Sequence, residues 1–509
     1  MEQKNFTPRD YQKAILETCK KESCLVILPT GTGKTLVALM LAMDVFIKNP
    51  LQKVIFLAPT RPLIEQHVEY FTKNLPEGFA QIDLFTGKTP ATQRKKIWQR
   101  AEFIFSTPQC IANDLKKNLY DLSDVCLLIQ DECHRCLKNY AYTMVAQKYK
   151  DQFTKPHVLG LTASPGNDKE TIKKVCRNLG IESVEIRTRD SPDVKPYLQE
   201  REFEKIEIDF PIEFEEIRQL MREVHEDKIN TLRNMKVLFG PATKVALFDC
   251  QKKLFQKINT GDKNPMYFAA VSACSQAIKI QHAIELLETQ TIASFINYLR
   301  TVFKEAEEKK SKGSQILAQD LRIGKAYTLT TTLDLEHPKL KKIKEIVEDA
   351  VQKNPKAKII IFAQFRETVK KISDMLSENP KLMPGVFVGQ AIKEHDQGKS
   401  YTGLKQKEMI EKFSAGEINV LCATSIAEEG LDIPEVSEVI FYEPVPSAIR
   451  TIQRAGRTAR LFPGKLKILI TKDTRDQISH YASQAKQKRM HKAIQDIKND
   501  FDNGQKELF

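Results

Sequence analysis

Cys24-Leu25-Val26-Ile27-Leu28-Pro29-Thr30-Gly31-Thr32-Gly33-Lys34-Thr35 decides how the chain is read. An apolar run ends in a turn rich in Gly and Thr, and the turn opens a helix-like stretch from Leu36 to Ile47. Backbone N–H groups of such a turn, with the helix N-terminus behind them, form a cradle for phosphate. Thr30, Gly31, Thr32 and Gly33 make the loop. In a loop of this kind Lys34 is expected to reach the β- and γ-phosphates, and the Thr35 hydroxyl to ligate Mg²⁺. The strict spacing of a phosphate loop asks for glycine where this chain has Leu28.

The same grammar repeats along the chain. Val54-Ile55-Phe56-Leu57-Ala58, Phe103-Ile104-Phe105-Ser106, Val125-Cys126-Leu127-Leu128-Ile129 and Val158-Leu159-Gly160-Leu161 are apolar runs separated by amphipathic stretches. Continuous apolar strands alternating with helices predict a parallel sheet covered on both faces. The pattern resumes with runs beginning at Lys358, Val386, Val420, Val439 and Leu466. Between the two blocks the strand signal vanishes. Residues 214–234, 244–258 and 268–288 carry apolar residues at three- and four-residue spacing, which predicts at least four helices. The piece from Lys236 to Lys257 is locally basic, and Gly313, Gly324 and the Thr328–Thr332 run suggest a looser connection onward. The expected class is α/β. Residues 1–205 form one parallel-sheet domain, 206–335 an all-helical insertion, and 336–509 a second parallel-sheet domain with a basic C-terminal helix or tail.

Asp131-Glu132-Cys133-His134 follows directly on the strand that ends at Ile129. With a phosphate loop a hundred residues upstream, Asp131 is expected to hold Mg²⁺ and Glu132 to act as general base on the attacking water. In the second domain, helical spacing places Gln453, Arg457 and Arg460 on one face. Two guanidiniums there suit charge on a transferring γ-phosphate. Together these features predict nucleoside triphosphate hydrolysis between two domains. Cys133-His134-Arg135-Cys136 has zinc-like spacing, yet no second such pair exists to complete a site.

Composition bounds the rest. Across 509 residues, 79 Lys and Arg against 66 Asp and Glu leave a net charge of +13, which favours a polyanionic partner. No stretch approaches the roughly 20 apolar residues that span a bilayer. The ten cysteines show no disulfide-framework spacing, so the expected setting is soluble, cytoplasmic and reducing.

The loop, Asp131-Glu132-Cys133-His134, Thr162-Ala163-Ser164 and Gln453-Arg454-Ala455-Gly456-Arg457-Thr458-Ala459-Arg460 resemble motifs I, II, III and VI of superfamily 2 helicases. That resemblance implies two RecA-like domains and ATP as substrate. Arg9-Asp10-Tyr11-Gln12 is similar to the Q-motif, in which Gln12 would read the adenine. His134, Thr162 and Ser164 would couple hydrolysis to movement. Arg61, Thr86, Gly87 and Thr107 in the first domain, and Gly389, Gln390 and Thr424 in the second, match segments that hold a nucleic-acid backbone. Asp432 in the motif V-like segment would contact the nucleotide.

Longer runs narrow the resemblance to the branch of Dicer, the cytosolic RNA sensors, Hef and FANCM, with archaeal Hef helicase domains nearest. These include Ser191-Pro192-Asp193-Val194-Lys195-Pro196-Tyr197, His282-Ala283-Ile284-Glu285-Leu286-Leu287-Glu288-Thr289-Gln290 and Phe441-Tyr442-Glu443-Pro444. The resemblance implies an ATP-dependent, structure-specific DNA helicase or translocase acting on forked or branched DNA in replication-fork repair. The alternative is a duplex-RNA sensor or remodeller of the RIG-I and Dicer-like branch. Hef commonly continues into a nuclease domain marked by E-R-K-x-x-x-D. Glu307-Glu308-Lys309-Lys310 is not that signature, so no nuclease activity is expected here; a nuclease would be a separate subunit, or the chain is a fragment. Gln505-Lys506-Glu507-Leu508-Phe509 resembles a shortened sliding-clamp-binding box, which makes the clamp a candidate partner.

Overall fold

The computed structural model describes residues 6–166, 168–199, 201–261, 264–388, 403–424, 434, 436–445 and 464–502. Seven parallel strands form the first sheet: β1 (Cys24–Ile27), β2 (Lys53–Leu57), β3 (Ile82–Phe85), β4 (Phe103–Ser106), β5 (Val125–Asp131), β6 (Val158–Thr162) and β7 (Ser183–Ile186). Their order is β3-β4-β2-β5-β6-β1-β7. Alternate residues of the inner strands feed two separate cores. Leu25, Ile27, Ile55 and Leu128 face one layer of helices, and Val26, Val54, Phe56 and Ile129 face the other. That is why the inner strands read as unbroken apolar runs.

The second sheet contains β8 (Arg201–Ile208), β9 (Ile359–Phe362), β10 (Pro384–Phe387), β11 (Val420–Ala423), β12 (Glu438–Phe441) and β13 (Gly464–Thr471). Its order is β10-β11-β9-β12-β13-β8, again parallel throughout. The expected 205/206 boundary therefore falls inside β8, an edge strand of the second sheet paired with β13 over eight residues. The chain joins the second sheet, leaves it for the helical insertion, and returns.

Among the described residues, six helices build the insertion: Glu215–Asn234, Lys244–Asn259, Pro265–Thr289, Ile292–Glu307, Lys312–Ala318 and Leu321–Thr332. The looser connection expected near Gly313 and Thr328–Thr332 is helical instead. Thr328, Thr330, Thr331 and Thr332 each donate a hydroxyl to the carbonyl four residues earlier, so their polar groups are met inside the helix. Gly313 is a packing residue: a Cβ there would lie 3.2 Å from Ser275 Oγ.

The last helix, Arg475–Asp502, leaves β13 and crosses to the first domain. Met490, Ala493, Ile494, Ile497 and Phe501 enter that domain's core, and Asp500 pairs with Lys169 at 2.7 Å. No helix among the described residues is long and apolar enough to cross a membrane.

Candidate nucleotide site and strand-facing ends

The described motif residues of the two sheets stand at the C-terminal ends of parallel strands, where ligands of such sheets bind. The phosphate loop follows β1, Arg61 follows β2, Thr86 follows β3, Thr107 follows β4, Asp131 closes β5, and Thr162 closes β6. In the second sheet Thr424 follows β11, its N–H donating to Phe387 O at 3.1 Å.

The loop is held from behind. Gly31 and Gly33 have φ of 78° and 83°, the left-handed region that glycine enters without cost. A Cβ on Gly33 would stand 2.3 Å from Gln12 Nε2. The Gln12 amide donates to Thr32 O at 3.0 Å, and the Tyr11 hydroxyl donates to the same carbonyl at 2.7 Å. Gln12 Oε1 accepts from the Arg9 N–H at 2.9 Å. The structure thus places Gln12 as a buried brace of the loop. Lys34 Nζ donates to Leu28 O at 3.1 Å and Pro29 O at 3.3 Å, so its ammonium lies within the loop's curve. Thr35 opens the helix Lys34–Lys48 beside it. Loop amides, one ammonium and a nearby carboxylate are the donor set that a Mg²⁺-bound triphosphate requires, and the residues fit it.

That carboxylate is Asp131. Burial is the largest single influence and works against its charge, but His67 opposes it by donating Nε2–H to Oδ2 at 2.9 Å. Lys34 and the Glu132 N–H add to the effect, and the carboxyl is held below its usual range. Glu132 has φ of 50°, a left-handed conformation in a residue with a side chain. Such strain costs of order 1–3 kcal/mol and collects at functional positions. His134 Nδ1 lies 3.2 Å from Glu132 Oε2 and 3.1 Å from Thr162 Oγ1. Thr162 Oγ1 also accepts from the Ser164 N–H at 3.1 Å. The Ser164 hydroxyl is buried with no hydrogen-bond partner among the described residues. The structure therefore brings Glu132, His134, Thr162 and Ser164 together as one chain of contacts. Cys133 and Cys136 are core residues, and no metal-ligating cluster occurs among the described residues.

Two important side chains were not marked by the sequence. His67 sits on the buried stripe of the helix Arg61–Asn74, between Ile64 and Phe71. Its three- and four-residue spacing from them was the available signal. Arg94 is buried and makes a two-point ion pair with Asp114, with Nε 2.6 Å from Oδ2. It also donates to Thr86 O at 3.3 Å and to Thr89 O. This ties the Thr86-Gly87 turn to the helix Pro108–Lys116 that follows Thr107. Arg61 is half-exposed and paired with Glu65. Gly389, Gln390, Asp432, Gln453, Arg457, Arg460 and the segment Gln505-Lys506-Glu507-Leu508-Phe509 lie outside the described residues.

Residues 5–167 match the family described as "Type III restriction enzyme, res subunit", and 338–462 match "Helicase conserved C-terminal domain". Between them, 213–337 match "Putative ATP-dependent RNA helicase, helical bundle". The crystal structure of the Pyrococcus furiosus Hef helicase domain superposes with a TM-score of 0.70 at 41% identity, covering 94% of this chain and 98% of that one. The chain belongs to the Hef and FANCM-like family of superfamily 2 helicases. In this family setting, a Methanocaldococcus jannaschii protein named "Putative ATP-dependent RNA helicase" is 38% identical over 97% of the chain and 61% of its own length. The ATP-dependent DNA helicase mph1 of Neurospora crassa is 33% identical over 91% of the chain and 41% of its own length. The chain thus spans about half the length of these curated relatives.

Proposed function

We propose that this chain is an ATP-dependent, structure-specific DNA helicase or translocase of forked and branched DNA. The observation that carries the reading is the likeness to the Hef helicase domain through both sheets and the helical insertion. The loop from Thr30 to Gly33 and Lys34 bind the triphosphate, and Gln12 braces that loop and meets the adenine. Thr35 and Asp131 hold Mg²⁺, which neutralises phosphate charge when bound. Glu132 takes the proton of the attacking water. Arg457 and Arg460, with Gln453, complete the far wall when the lobes close, and Asp432 contacts the nucleotide from the same lobe. His134, Thr162 and Ser164 pass the state of that wall to Arg61, Thr86, Gly87 and Thr107. These grip one strand's phosphates together with Gly389, Gln390 and Thr424. Closure and opening then move the two grips past each other.

A second reading, remodelling of duplex RNA, is favoured by the printed name of the M. jannaschii relative. Phosphate-gripping residues do not separate the two nucleic acids. Steady-state ATPase assays with fork DNA, linear duplex DNA and duplex RNA test the choice. Strongest stimulation by fork DNA is expected. Stronger stimulation by duplex RNA overturns the proposal.

A further inference from the structure

The insertion helix Lys244–Asn259 is amphipathic, but its outer side is not polar. Leu247, Cys250 and Leu254 are buried against the neighbouring helices. On the opposite side Val245, Phe248, Lys252 and Phe255 recur at intervals of three, four and three, which puts them on one face. That face is open: Val245 is 69% exposed, Phe248 50% and Phe255 47%. Phe239 and Phe268, in the segments before and after this helix, are exposed as well.

Charge says what covers it. From residue 236 to 261 five lysines face a single acid, Asp249. Lys236, Lys252 and Lys253 make no ion pair among the described residues. Lysine is depleted at the centre of protein–protein interfaces, whereas lysines among aromatic rings suit phosphates with unpaired bases. Phe248 and Phe255 stand about 10 Å apart along the helix, near three nucleotide rises, with Lys252 between them.

We infer that the Val245–Phe248–Lys252–Phe255 face is a platform on which unpaired bases at a DNA branch stack. This rests on the branched-DNA reading and adds what the insertion recognises. Paired bases hide their faces in the duplex; a junction with unpaired nucleotides offers them.

The test uses the full chain with three probes: a fork carrying three unpaired junction nucleotides, one of them 2-aminopurine; a fully paired fork; and linear duplex. A labelled single strand serves as a fourth. Phe248→Ala/Phe255→Ala should lower affinity for the first fork about tenfold or more and abolish its 2-aminopurine fluorescence change. Affinity for linear duplex, set by phosphate contacts, should move less than about twofold. Both residues are exposed and alanine favours helix, so the variant should fold. Phe248→Tyr/Phe255→Tyr should restore both signals. A double alanine variant that keeps the preference for unpaired junctions overturns the inference and leaves the branched-DNA function standing. Equal losses on every probe, or changed self-association with unchanged DNA binding, also overturn it. Wild-type protein that prefers no fork over duplex overturns the function instead, and the single-strand signal then reports on the platform alone.

Discussion

His67 donates to the buried carboxylate of Asp131 from the helix that Arg61 opens. It orients one oxygen of the group expected to hold Mg²⁺, and partners of this kind govern metal affinity. His67→Ala should raise the Mg²⁺ concentration for half-maximal ATPase about 10- to 100-fold. His67→Gln, which keeps an N–H donor, should recover part of it. A Mg²⁺ titration of turnover reads this; a loss of turnover that saturating Mg²⁺ does not correct would mean a different role. Glu132 and Lys34 separate two further functions. Glu132→Gln should cut turnover about 10²- to 10⁴-fold while leaving nucleotide bound, because only the proposed base is lost. Lys34→Ala should lose both turnover and nucleotide affinity. Phosphate release and fluorescent-nucleotide titration measure the pair. Near-normal turnover in Glu132→Gln would remove Glu132 as the base.

At the scale of elements, His337 caps the helix Pro338–Lys353, with Nδ1 accepting from the Lys339 N–H. Its Nε2 is 3.2 Å from Glu288 O and donates to it. Both nitrogens are thereby used in the neutral ring. Burial, with the Lys339 ammonium nearby, pushes its pKa down to about 3. Such a group stabilises the fold fully above the unfolded value near 6.5, and that contribution drains away as pH falls toward the folded value. Each pH unit below about 6.5 then costs up to about 1.4 kcal/mol. His337→Asn keeps a capping oxygen and does not titrate. Its stability should fall less than wild type's between pH 7.5 and 5.5 in denaturant melts, and identical slopes would refute the assignment. The elements also show what could be read in advance. Inner strands announced themselves because both faces are buried. β3, β7 and β8 did not, since an edge strand tolerates Asp83, Glu185, Glu202 and Glu204 between apolar residues. The threonines at 328–332 pointed away from a helix because their hydroxyls' local partners are invisible in a sequence. The phosphate loop and Asp131-Glu132 were legible, being contiguous. His67 and Arg94 matter through residues 64 and 20 positions away.

Across the whole molecule, the runs His282–Gln290 and Phe441–Pro444 meet. Gln290 donates to Glu443 at 3.3 Å and accepts from the Thr368 hydroxyl at 2.8 Å. Glu443 also accepts from the Gln364 N–H at 2.5 Å. Lys339, fully buried, donates to Thr289 O and pairs with Asp476 at the start of the last helix. A buried polar cluster of this kind fastens the insertion, the second sheet and the last helix into one piece. Gln290→Leu should destabilise the fold by about 1–3 kcal/mol, because Thr368 and Glu443 lose a buried partner. Thermal denaturation measures it, and an unchanged midpoint would show that the cluster fastens nothing.

The last helix has a mechanical consequence. The first domain is tied to that piece by residues 187–199 leading to β8, and again by the helix Arg475–Asp502 anchored through Ile494, Ile497 and Phe501. A body held at a single point swivels in any direction; one held at two points turns only about the line that joins them. Under the proposed function, displacement of a strand gripped by both sheets becomes an arc about a fixed axle, and its stride is set by the strand's lever arm from that axle. Lengthening the lever, rather than strengthening the grip, would lengthen the step.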